Sequence, residues 1–235
     1  VRSWWETLFH TPKCRLCDSP HSAPAWAPIW RRVCSPCIER LAPIQGTICP
    51  RCGRAQLVSE LCWDCKKLTN PPLTANRSSL SYLTYSRACI HRLKYQGQVS
   101  LAPPLAEMMV HTLLEARWCV DSITFVPLHS TRLFERGFNQ AEMLAQEIAK
   151  RVSLPLAHCL ERVIETPAQS SRGKRARQQT LVGAIVLKEG LERHVRSKHW
   201  LLIDDVYTTG ATLLECARTL KKAGANKVYS LTLAR

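Results

Sequence analysis

Four Cys-x-x-Cys pairs lie in the first third of the chain: Cys14/Cys17, Cys34/Cys37, Cys49/Cys52 and Cys62/Cys65. Two thiolates three positions apart can turn back onto one ion, and two such pairs complete a closed tetrahedral shell. The pairs are separated by 16, 11 and 9 residues. Gly53 follows the third pair, where a tight knuckle needs permissive backbone. The spacing predicts two structural Zn²⁺ sites of four cysteines each, neither open to a substrate. Sequential sharing puts Cys14, Cys17, Cys34 and Cys37 on one ion and the other four on the second; an interleaved arrangement also satisfies the spacing. His21 lies between two pairs, but the cysteines already fill both shells. Disulfides are the competing use of such pairs. The opening "VRSWWETLFH" has one basic residue and no apolar core of signal-peptide length, so a reducing, cytoplasmic setting is expected. Trp4, Trp5, Leu8 and Phe9 there fit a short amphipathic helix. Cys89, Cys119, Cys159 and Cys216 stand alone and read as small buried residues.

A chain of 235 residues holds one full α/β domain beside such a module. No apolar run reaches the roughly 18–20 residues that span a bilayer. The formal net charge of +15 points to polyanionic partners. Residues 1–80 carry 11 basic against 5 acidic side chains, and residues 81–235 carry 22 against 13. Eight thiolates on two zinc ions would remove most of the first excess, so phosphates are expected on the larger domain. The boundaries read as residues 1–70 for a double zinc ribbon, 71–80 for a linker around Pro71-Pro72, and 81–235 for the α/β domain.

Within that domain, helices and strands alternate. "SRACIHRLKYQG" reads as a helix stopped at Gly97, and "LAPPLAEMMVHTLLEARW" as a helix with Pro103 and Pro104 in its first turn. "SITFVP", "AIVL", "HWLLI" and "KVYSLTLA" read as strands. "TRLFERGFNQAEMLAQEIAKRV" puts Phe138, Ala141, Leu144, Ala145, Ile148 and Val152 along one helical face. "TLLECARTLKKAG" is a helix ended by Gly224. This alternation predicts a parallel sheet covered by helices on both faces.

The stretch "LLIDDVYTTGATL" carries the chemistry. An apolar strand runs into Asp204 and Asp205, and a Thr/Gly loop leads to a helix start. Ligands of open parallel sheets bind at the carboxyl ends of strands. Thr208, Thr209, Gly210, Ala211 and Thr212 offer hydroxyls, close backbone approach and free helical N–H groups, a cradle for phosphate. The aspartates are anionic and cannot hold that phosphate. They can accept hydrogen bonds from vicinal hydroxyls beside it, or hold a metal ion through water. Vicinal hydroxyls next to a phosphate describe a ribose 5-phosphate. Mg²⁺-dependent nucleotide hydrolases also end strands in acids, but the G-x-x-x-x-G-K-[ST] loop they need is absent.

"LLIDDVYTTGAT" resembles the phosphoribosyl pyrophosphate (PRPP) signature of type I phosphoribosyltransferases. With the cysteine pairs, "HRLKYQG" and "VPLHSTRLFERGFNQAEMLA", the chain resembles the competence protein F (ComF) family, which includes the GntX proteins, over nearly its whole length. The resemblance implies a type I phosphoribosyltransferase-like α/β fold behind an N-terminal double zinc ribbon. It implies ribose hydroxyls on Asp204 and Asp205, and 5-phosphate on Thr208, Thr209, Gly210, Ala211 and Thr212. Pyrophosphate is expected near His129, Arg132 and Arg136, with Mg²⁺ bridging pyrophosphate and ribose. Arg136, Gly137, Phe138, Asn139 and Gln140 match the family's RGFNQ run; packing is the simplest role for Phe138. A lid that excludes water from the reacting sugar is expected in "ETPAQSSRGKRARQQT", with Arg172, Lys174, Arg175 and Arg177. That segment departs from the family pattern at Arg172 and Thr180, which bears on the acceptor pocket more than on the PRPP site. No residue stands out as a base for an acceptor. The implied roles are a phosphoribosyltransferase with an unidentified nucleophile, or a PRPP-binding accessory of DNA uptake and natural transformation. The second would bind single-stranded DNA and meet the competence helicase and recombination-loading proteins. A purely structural zinc adaptor would leave the strand-end acid pair unexplained.

Overall fold

The computed structural model describes residues 12–23, 27, 29–165 and 182–235. The cysteine-rich region contributes helices α1 (Ser35–Leu41) and α2 (Trp63–Lys66). Then follow β1 (Ala75–Leu80), α3 (Thr84–Tyr95), α4 (Ala102–Ala116), β2 (Ser122–Phe125), α5 (Ser130–Arg136) and α6 (Gln140–Val152). The chain continues through β3 (Leu160–Arg162), β4 (Ile185–Leu187), α7 (Glu192–Val195), β5 (His199–Val206), α8 (Ala211–Lys222) and β6 (Lys227–Ala234).

Strand β5 sets the core. Trp200, Leu201, Leu202 and Ile203 are all fully buried, because successive side chains point to opposite faces and both faces are covered. Leu201 and Ile203 pack with Leu105 and Met109 of α4 and Leu144 and Ile148 of α6. Trp200 and Leu202 pack with Leu213, Cys216 and Leu220 of α8 and with Leu160 and Ile185 of the β3–β4 pair. Among the described residues, one parallel sheet has the order β1-β6-β5-β2, with β5 flanked by β6 and β2; β3 and β4 pair antiparallel beside it. The tips of β2, β5 and β6 therefore point the same way, and their following loops share one edge. No described helix is long and apolar enough to cross a membrane.

Of the lone cysteines, Cys89, Cys159 and Cys216 are buried as expected, but Cys119 is exposed. Two expectations of the fold also change. Residues 75–80, read as the end of a linker, are the edge strand β1, paired with β6 from Ala75↔Tyr229 to Leu80↔Ala234. "ANRSSL" lacks apolar alternation because its partners are polar. Buried Ser78 and Thr232 hydroxyls pair at 2.7 Å, and Ser230 Oγ donates to Asn76 Oδ1 at 2.8 Å. The free edge of β1, which would template aggregation if bare, is taken up by the cysteine-rich module. Asn76 N–H donates to Arg51 O (2.7 Å), and Ile44 N–H to Ser79 O (2.9 Å). A Cβ on Gly53 would lie 2.8 Å from Asn76 O, and its φ is +70°; only glycine allows that approach. The second change is at 137–139. The periodicity predicts one helix through Phe138, but Gly137 (φ +78°) ends α5, and Asn139 starts α6 by accepting Ala141 N–H on Oδ1 at 2.9 Å. The N-terminal helix around Trp4, Trp5, Leu8 and Phe9 lies outside the described residues.

Candidate functional site

The eight paired cysteines form two groups, Cys14, Cys17, Cys34 and Cys37, and Cys49, Cys52, Cys62 and Cys65; within each, the sulfurs lie within 4.8 Å of one another. The grouping is the sequential one. Zn–S bonds of about 2.3 Å in a tetrahedron put sulfurs roughly 3.8 Å apart. Cys17 Sγ and Cys34 Sγ are 3.8 Å apart, and Cys52 Sγ and Cys62 Sγ 3.6 Å, so both groups fit Zn²⁺. Backbone N–H groups of Cys34 and Cys62 donate to the Cys14 and Cys49 sulfurs at 3.3 and 3.4 Å, which orients the thiolates as the outer partners of a metal site do. His21 turns elsewhere, its Nε2 2.7 Å from Arg31 O.

The acid pair lies at the carboxyl end of β5. Asp205 is 4% exposed, and its Oδ2 meets Lys94 Nζ at 2.6 Å and Gln140 Nε2 at 2.7 Å. Asp204 is partly buried and accepts Asp205 N–H on Oδ1 at 2.8 Å. Burial, reinforced by the Asp205 charge, pushes the Asp204 carboxyl up to about 7. Burial alone would lower the Lys94 pKa, but the Asp205 and Asp204 carboxylates outweigh it and raise it. Two adjacent carboxyls are thus accommodated by an ammonium from α3 and by a raised Asp204 pKa.

Beyond Val206 the chain passes Thr208, which is exposed, and Thr209, whose Oγ1 lies 3.4 Å from Ala211 N. Gly210 adopts φ +77° at the start of α8. A Cβ there would collide with the Tyr207 hydroxyl, so both conformation and space require glycine. Ala211 is buried and Thr212 half-buried in the first turn. The twelve-residue α8 directs its free N–H groups and positive dipole end at this loop, which suits an anion.

On the β2 side, Arg132, Arg136 and Lys94 line one cavity of about 310 Å³, together with Tyr95, Glu135 and Phe138. Phe138 belongs to this cavity rather than to the buried core clusters. His129 does not line it; it starts α5, its Nδ1 accepting Thr131 N–H at 3.4 Å. The RGFNQ run acquires a role here. Arg136 stacks over Tyr95 (5.0 Å) and donates to Gln140 Oε1, and Gln140 donates to Asp205. Asn139 Nδ2 donates to Val126 O at 3.0 Å, tying the start of α6 to the end of β2. Arg172, Lys174, Arg175 and Arg177 lie outside the described residues.

Three contributors went unassigned in the sequence. Gln140 shares the 140, 144, 148 stripe of α6 with Leu144 and Ile148, and a buried polar residue on an apolar stripe was the available signal. Lys94 stands in "HRLKYQG" without a marker of its own. Arg162, at the end of β3, is 8% exposed, and its backbone forms a parallel β-bridge with that of His129; burial, then the Arg132 charge, lowers its pKa, with Asp204 among the charges opposing.

The profile of the phosphoribosyl transferase domain matches residues 139–235. The DNA utilization protein YhgH of Escherichia coli O157:H7 is 31% identical over 234 residues, 94% of this chain and 96% of that protein. Competence protein ComFC of Bacillus subtilis is 30% identical over 243 residues, 96% of each chain. A solved glutamine PRPP amidotransferase from B. subtilis aligns with 57% of this chain and 26% of its own at 18% identity and a TM-score of 0.40.

Proposed function

The chain belongs to the competence protein F family, and from that membership we propose that it binds PRPP at the end of β5 and serves DNA uptake in natural transformation. One observation carries the reading. An acid pair, Asp205 buried and Asp204 partly so, sits between an anion-ready helix start on one side and a cavity lined by Lys94, Arg132 and Arg136 on the other. Asp204 and Asp205 accept the ribose hydroxyls, and residues 208–212 hold the 5-phosphate. The cations beside β2 hold pyrophosphate and stabilise the charge it gains on leaving. Mg²⁺ suits the donor set, since the partly exposed Asp204 carboxylate and phosphate oxygens are the hard ligands it takes; when bound it would neutralise departing charge.

Transfer, if an acceptor is present, is displacement at the anomeric carbon. The acceptor's lone pair forms the new bond, the carbon–oxygen bond breaks with its electron pair staying on pyrophosphate, and the acceptor's proton passes to solvent. PRPP with Mg²⁺ is expected to raise the melting temperature, and the Asp204→Asn/Asp205→Asn double variant, checked for folding by circular dichroism, to lose that rise. The same rise in the folded double variant would overturn the site.

A non-catalytic role, binding both PRPP and single-stranded DNA, draws on a different observation. Tyr95 is 65% exposed with the Arg136 guanidinium over its ring, a pairing of ring and cation that suits unstacked bases. Its mark is an affinity for single-stranded DNA whose logarithm falls linearly with log salt. No binding at low salt would remove it.

A further inference from the structure

A second cavity, of about 430 Å³, opens on the other side of β5. Its floor is Val206, Tyr207 and Thr208, directly after the acid pair; Arg235 and Tyr82 stand at the ends of β6 and β1, and Arg54 comes from the second zinc-binding module. Of its lining, the PRPP reading uses only Thr208, at the edge of the phosphate loop. We infer that this cavity is the acceptor subsite, and that it takes a planar ring carrying an anionic group. The inference rests on PRPP binding at Asp204 and Asp205.

Three observations support it. The first is position. β2 and β6 flank β5 on opposite sides, so the cations that follow β2 and the cavity at the end of β6 lie on either side of the acid pair. Displacement with inversion brings the nucleophile in opposite the leaving group. The second is charge. The lining holds two guanidinium groups, Arg54 and Arg235, and no aspartate or glutamate side chain. Arg54 also reaches Asp64 at 2.7 Å, with both side chains partly in solvent, a pairing weak enough to be shared with a ligand. The third is shape. Tyr82 is 42% exposed at the wall, and its N–H donates to Arg235 O at 2.7 Å. Tyr207 lies under the Arg235 guanidinium at 4.3 Å. Rings and guanidinium planes together favour a flat ligand, and the volume falls in the range of small-molecule sites.

The arrangement also gives the zinc module a place in specificity. Arg54 follows the Cys49/Cys52 knuckle, its carbonyl accepting Cys49 N–H at 2.8 Å, so a metal ion held by these cysteines would fix one wall of the subsite.

The test uses the full chain with zinc in place. Binding of orotate, nicotinate and anthranilate (planar ring carboxylates) is measured by calorimetry with ribose 5-phosphate present, with adenine as an uncharged flat control. At least one carboxylate is expected to bind more tightly than adenine. Arg54→Ala and Tyr82→Ala are expected to weaken it about tenfold or more, the loss expected for a charge-assisted contact, with ribose 5-phosphate affinity unchanged. Ribose 5-phosphate binding without any carboxylate binding would overturn the subsite and leave the PRPP reading standing. So would adenine binding as tightly as the carboxylates, or indifference to both substitutions. Failure of ribose 5-phosphate itself to bind would overturn the PRPP reading and the subsite with it.

Discussion

Asp204 stands in an environment far from what its letter suggests. Its carboxyl moves from an ordinary 3.8 to about 7, through burial first and Asp205 second, with Lys94 and Arg162 opposing. Below about pH 4 it is protonated in the folded and unfolded chain alike and carries no penalty. Between about 4 and 7 the unfolded chain has released the proton while the folded chain keeps it, so stability falls as pH rises. Above 7 the full penalty is present. Asp204→Asn keeps the Oδ1 that accepts Asp205 N–H. It is expected to be more stable than the parent at pH 8, by about 2 kcal/mol after allowing for solvent at the partly exposed group, and equal to it near pH 4. Urea unfolding at the two pH values measures the difference; a pH-independent gap would remove the titration. The acid pair itself was legible, because "DD" ends an apolar run before a Thr/Gly loop. Lys94 was not, because its partner lies 111 residues further along the chain and only folding brings them together.

Among elements, the junction between α5 and α6 links the two sides of the site. Asn139 both starts α6 and donates to the Val126 carbonyl at the end of β2. Asn139→Ala removes a helix cap worth about 1 kcal/mol and leaves a buried carbonyl short of a donor at a similar cost. A loss of about 2 kcal/mol in urea unfolding is expected, and weaker ribose 5-phosphate binding with it, because Gln140 is the next residue and holds Asp205. Unchanged affinity in the destabilised variant would separate the junction from the acid pair. The 3.6-residue period put Ala141, Leu144, Ala145 and Ile148 on the face that α6 buries, but it ran the helix through Gly137. Periodicity records which residues can be buried together and carries no mark for a glycine that takes positive φ.

For the whole molecule, the second cysteine group bears on the phosphate loop as well as on the sheet edge. Cys52 O accepts from Asn76 Nδ2 and from Arg235 Nη1. Tyr207, beside Gly210, packs against Cys49, Cys52, Cys62 and Cys65. Two zinc ions per chain are expected by elemental analysis. Cys62→Ser is expected to lower the metal content to one, to lower the melting temperature by at least ~5 °C, which corresponds to roughly 2 kcal/mol in a chain of this size, and to weaken ribose 5-phosphate binding. Cys17→Ser, in the group remote from Tyr207, is expected to lose one zinc and keep that affinity. Equal effects from the two substitutions would dissolve the link.

The sequence by itself determined which residues could bind metal, which strand would end in the acid pair, and where phosphate donors would stand. Those properties follow from local spacing, alternation and capping, which a linear pattern records. Only the tertiary structure decided that residues 75–80 form an edge strand, that the cysteine-rich module seals that edge, and that Lys94, Gln140, Arg162 and Arg54 surround the end of β5. Each of these depends on backbone edges and side chains far apart in the chain meeting once the apolar faces of β5 are buried, and no local pattern encodes that meeting.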